Sequence, residues 1–317
     1  MSADPDLPAL MRSESLHAYE HDAARHAYAY GVALRRARWL SGSSVGNALV
    51  RAVDRQWAGS TQRWLSQDLE SNPSRLHTPL LHQLDSIVRL LHAQRPTIKI
   101  ARDRRNWPWA TPLAPPHGCT QWLVLDHTAL NALDSKARAF ALGSAVGHLQ
   151  CGHGIFFAAH RMVAYDRPRF SAGLLKRALR PWTALLAFSS DRAGLLACGD
   201  LEVAIDTVGR LDQLHRSIDW LPRPPALAQR TDALREFDQT ITMARVRAGA
   251  RVSPAPLAND IGCPLADDRH TGGDHPLPES VPVSERPPPV ESWDGVPDSA
   301  WPLARCDRRL TERLGLF

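Results

Sequence analysis

At 317 residues the chain is long enough for one substantial packed domain plus extra segments, and its 44% apolar and 22% charged residues exclude a fibrous or wholly disordered protein. The net charge is +5, and no apolar run approaches the ~18 residues that crossing a bilayer requires. Residues 1–15, MSADPDLPALMRSES, lack the basic start and apolar run of a secretory signal, so a soluble cytoplasmic protein without a membrane span is expected.

In chain order, residues 16–91 read as helices. One runs through AYEHDAARHAYAYGVALRRARWL and a second through VGNALVRAVDRQWAG. A third, TPLLHQLDSIVRLLHAQ, repeats Leu80, Leu84, Ile87, Val88 and Leu91 at helical spacing before Pro96 ends it. Two strands are expected next, TIKIA at 97–101 and QWLVLD at 121–126, joined by a loop that Trp107 and Trp109 pack. Asp134 then caps a helix SKARAFALGSAVGHLQ that Gly152 and Gly154 end. A further helical stretch from about 172 to 211 is expected to break near Pro181.

Residues 251–301 differ in character, with ten prolines and nine acidic against three basic side chains, a balance of −6. Such a segment buries too little apolar surface to fold alone. The last sixteen residues contribute +2, which leaves +9 on residues 1–250, spread along helices without a dense basic run or a nucleic-acid motif. The expected divisions are a helical extension at 1–74, a domain at 75–245, a disordered Pro-rich acidic linker at 246–301 and a short C-terminal helix at 302–317. Cys119, Cys151, Cys198, Cys263 and Cys306 are odd in number and widely spaced, which favours reduced thiols over a disulfide framework.

The chemistry-bearing stretches are ALGSAVGHLQCGH at 141–153, FSSDRAGLLACGD at 188–200 and PPALAQRTDALREF at 224–237. Together they resemble the HtpX and CAAX-prenyl-protease type of gluzincin zinc metallopeptidase. In that family a helix carries H-E-x-G-H with another His five residues on. A later helix supplies a Glu ligand four residues before a D-R-A-G-L-L run, and a closing H-P-x-x-x-x-R segment follows. Gly147, His148 and His153 fix the register here, Asp191 to Ala197 match the run, and Arg230 takes the arginine place. The resemblance covers roughly residues 75–240 and implies an α+β, mainly helical, zincin-like fold with a small sheet.

Carried over position by position, the resemblance puts the first zinc histidine on Ser144, the catalytic Glu on Ala145, the second histidine on His148 and the third ligand on Ala187. The closing His falls on Pro224. A catalytic zinc needs three protein ligands and an open site for water, and the base must accept that water's proton. Serine is a poor ligand, and an alanine methyl neither ligates nor accepts a proton. The resemblance therefore implies a degenerate copy with His148 as the one surviving ligand and with His153, Asp191, Arg192 and Arg230 in supporting roles.

The leading expectation is a non-catalytic module that binds a protein or peptide and needs no cofactor. Its surface is the old cleft, with QWLVLD offered as an edge strand for peptide addition. The alternative is an active zinc metalloendopeptidase in which Cys151, His153, His160 or Asp191 joins His148 as substitute ligand. A Ser144–His148–Asp191 hydrolase triad lacks the sharp turn that presents a serine nucleophile. His17, His21 and His26 fit a solvated stripe on one helix better than a metal site.

Overall fold

The structure is a computed structural model that describes residues 21–22, 24–71, 76, 78–102, 107–115, 121–166, 169–249, 297 and 299–316. Most of residues 246–301, together with Cys119, Cys263 and His17, lies outside the described residues.

Two long helices, Gly31–Gly42 and Ser44–Gln67, lead into β1 (Leu69–Glu70). Helix Thr78–Leu90 buries Leu80, Leu84, Ile87 and Val88, the stripe its spacing predicts. Then come β2 (Thr97–Ala101), β3 (Ala110–Leu113) and β4 (Trp122–Leu125). The sheet order is β1-β2-β4-β3, with β2 and β4 parallel and both outer pairs antiparallel. This is an α+β fold, mainly helical, with a small mixed sheet.

The sheet corrects one expectation. QWLVLD is not an edge strand, because β4 pairs with β2 on one side and β3 on the other. Its side chains divide by alternation. Leu123 and Leu125 enter one apolar core, while Trp122 and Val124 enter the second. A strand buried on both faces reads as a continuous apolar run, which is what WLVL is. The edge belongs to β3, whose Pro112 offers no amide to a further strand, as suits a proline in a sheet.

In the core that holds Leu123 and Leu125 stands the helix Ser135–Gln150, buried along most of its length. Asp134 caps it by accepting from the amides of Lys136 and Ala137 at 3.0 and 2.9 Å. Across from it runs the helix Arg169–Cys198. That helix continues through position 181, so the expected break is absent there, although proline at that position cannot donate to the carbonyl four residues back. The stop comes at Gly199, whose φ of +68° carries the chain into a left-handed turn and whose amide bonds Leu195 O. Asp200 then caps the next helix, Leu201–Ser217.

Small residues let the two central helices approach closely. A Cβ on Gly147 would collide with Ala193, and one on Gly143 with Ala197. Tyr28 and Tyr30 are fully buried in cores shared with residues beyond 75, so the N-terminal segment packs with the rest. The expected C-terminal helix forms at Leu303–Arg313 and buries Cys306 and Leu310. Thr240 and Trp301 form a bridge just before it. No described helix is long and apolar enough to cross a membrane.

Candidate functional site

The central helix ends in a Schellman turn. His153 N donates to His148 O, Gly152 N donates to Leu149 O, and Gly152 has φ +72°. This turn explains the five-residue spacing of the two histidines. It folds the chain back so that the His153 and His148 Nδ1 atoms lie 3.0 Å apart, one donating to the other. The His148 ring also stands edge-on to Phe157, with centroids 4.9 Å apart.

Around His148 lies a cavity of about 40 Å3. Ser144, Ala145, His148, Ala187 and Pro224, the residues onto which the resemblance would map ligands, base and closing His, all line it. Three separate stretches of chain thus converge on one point. Pro108, Ala110 and Pro112, before and within β3, form the opposite wall.

Arg230 and His215 line the same cavity. Arg230 holds Asp191 in a bidentate pair, Nε to Oδ2 at 2.8 Å and Nη2 to Oδ1 at 2.7 Å, with both side chains buried. Its Nη1 has no partner among the described residues, and neither has the enclosed Nδ1 of His215. His215 belongs to no motif, so only the fold could bring it here.

The groups near the cavity are neutral or committed. Burial pushes His148 well below its ordinary pKa, and His153, His215 and Arg230 add to the depression. Burial likewise lowers His153 to about 3, and His215 to about 3 with Arg230 contributing. Cys151 points its thiol toward Tyr28 Oη at 4.0 Å, and burial pushes that thiol up to about 12. A thiol so protonated is a weak metal ligand. Both oxygens of Asp191 are occupied by Arg230, so no Ser–His–Asp relay forms.

These residues do not fit a catalytic zinc. Two imidazoles and no carboxylate line the cavity, and no group of three His, Cys, Asp or Glu among the described residues is placed to hold a metal ion. Imidazoles this reluctant to protonate are also weak general bases at neutral pH.

The D-R-A-G-L-L-A run has a structural role at nearly every position. Asp191 holds Arg230, and Arg192 donates Nη1 to Tyr28 O at 3.2 Å and to Asp307 Oδ1 at 2.7 Å, tying down the C-terminal helix. Ala193 and Ala197 receive Gly147 and Gly143, Gly194 makes room for Phe140, and Leu195 and Leu196 fill the core.

No family model, curated protein or solved structure matches the chain.

Proposed function

We propose that this chain is a zincin-like, gluzincin-type fold in which packing has replaced hydrolysis, and that it works by binding a protein or peptide. The supporting observation is the convergence of Ser144, Ala145, His148, Ala187 and Pro224 on one cavity that holds neither the ligand set nor the base the chemistry needs. A fold outliving its chemistry is an ordinary outcome, because function resides in the site.

The test restores the missing groups. A Ser144→His, Ala145→Glu, Ala187→Glu variant that folds is expected to take up zinc near one per chain by elemental analysis, while the natural chain takes up none. A folded variant with no zinc affinity overturns the correspondence of positions. Stoichiometric zinc in the natural chain, with casein cleavage lost to phenanthroline and to His148→Ala, establishes the working-peptidase alternative instead.

A further inference from the structure

A second hollow is much larger than the cavity. It is an open groove of about 650 Å3, a size suited to a bound segment rather than a water molecule. Arg177, Arg180 and Ala184 reach it from one helix at spacings of three and four, which puts them on a single face. Arg36 comes from the helix Gly31–Gly42 and Arg223 from the turn before Leu227–Asp238, so four arginines meet, and among the described residues no Asp or Glu lines the groove.

Arg177, Arg180 and Arg223 are exposed, and none of the three has a carboxylate partner among the described residues. Elsewhere the described arginines pair freely, as Arg161 does with Asp68 and Arg313 with Glu236. The floor is apolar, made by Leu185, Pro225, Leu314 and Leu316. Leu314 and Leu316 follow the C-terminal helix, so the groove exists because that helix is docked.

We propose that this groove binds an acidic peptide segment of a partner protein, its carboxylates on Arg177, Arg180 and Arg223 and its apolar side chains on the Leu185–Leu316 floor. The proposal rests on reading the chain as a binding module and moves the binding surface away from the closed cavity. Charge complementarity carries it, since guanidinium groups take carboxylates in a bidentate fork and no described residue offers one to Arg177, Arg180 or Arg223. Nucleic acid fits less well, because among the described residues no aromatic side chain lines the groove to stack a base.

Fluorescence anisotropy with the full chain tests this, using a labelled Glu/Leu peptide as probe. The Glu/Leu peptide is expected to bind, and Gln/Leu and Lys/Leu peptides of equal length are not. An Arg177→Glu, Arg180→Glu, Arg223→Glu variant is expected to weaken binding about tenfold or more, the combined effect of three exposed charge contacts. These side chains are exposed, so the variant should melt with the natural chain; the milder Arg223→Ala is expected to give a smaller loss in the same direction. Binding of the Gln/Leu peptide as tightly as the Glu/Leu one, or full affinity in the triple variant, overturns the proposal. Tighter binding of single-stranded poly-dT that depends on the same arginines overturns it in favour of nucleic acid. None of these outcomes bears on zinc uptake, so the groove and the degenerate site fail separately.

Discussion

Pro224 lines two hollows at once. Toward the central helix it closes a cavity of about 40 Å3, where the imidazoles are held neutral and Arg230 is engaged by Asp191. On its other side it borders an open groove of about 650 Å3 lined by arginines, three of them without acid partners among the described residues. The cavity occupies the place where the resemblance expects chemistry, yet its polar groups are desolvated or already bound. The groove corresponds to no motif, yet its Arg177, Arg180 and Arg223 are exposed and have no acid partner among the described residues. Availability of charge, more than the presence of a hollow, separates a place that can recognise a ligand from one that only packs.

The strongest test of this contrast removes the buried pair. Asp191→Ala is expected to cost about 3–5 kcal/mol in chemical denaturation, because it strands the Arg230 charge in the interior. Asp191→Leu combined with Arg230→Met should recover most of the loss, since replacing a buried pair with apolar residues of similar volume is often neutral. A loss under about 1 kcal/mol for Asp191→Ala means the cavity is wetter than its geometry implies.

Acid provides the next test. His153 and His215 have folded pKa values of about 3, below the ordinary 6.5, so the unfolded chain binds protons that the folded chain refuses. Their stabilising contribution is present above pH 6.5 and is lost as pH falls toward 3. Between pH 6.5 and 5 the two together should cost roughly 3 kcal/mol, His148 adds in the same direction, and His215→Gln should make the slope shallower in urea titrations. Arginines do not titrate in this range and the peptide's Glu carboxylates stay mostly ionised down to pH 5, so between pH 6.5 and 5 peptide affinity of the folded chain at the groove should stay nearly level. A parallel acid loss of affinity would erase the distinction between the hollows.

Smaller effects come from the helix contact behind the cavity. Gly147→Ala is expected to lower stability by about 1–3 kcal/mol in thermal melts, since its new methyl meets Ala193. Gly209 has open space where a Cβ would go, and it lies inside the helix Leu201–Ser217. Gly209→Ala should therefore stabilise by about 0.5–1 kcal/mol. Neither change should alter binding at the groove.

Local signals carried much of this arrangement. Asp134 announced the start of the central helix, the Leu80–Val88 stripe gave the buried face of another, and the C-terminal helix was readable as amphipathic. The residues that three separate motifs single out, Ser144, Ala145, His148, Ala187 and Pro224, line one cavity. The failures were non-local. β3 was missed because ATPL contains a proline, and β4 was placed at an edge although its four apolar residues in a row fit burial on both faces. Pro181 was given more weight as a helix breaker than Gly199, whose left-handed turn is the actual stop. His215 and the groove arginines at 36, 177, 180 and 223 are scattered along the chain, and only tertiary packing gathers them.

The bridge between Thr240 and Trp301 has a consequence for how the chain would survive a cut. Ile241 N donates to Trp301 O and Trp301 N to Gln239 O at 2.9 and 2.8 Å, and Asp307 and Arg313 hold the helix beyond through Arg192 and Glu236. Both ends of the intervening stretch are thus fastened to the same body. A protease that nicks the chain once between 250 and 296 should yield two fragments on a denaturing gel that still elute as one particle. A polypeptide supplied in two pieces should likewise reconstitute the floor of the groove.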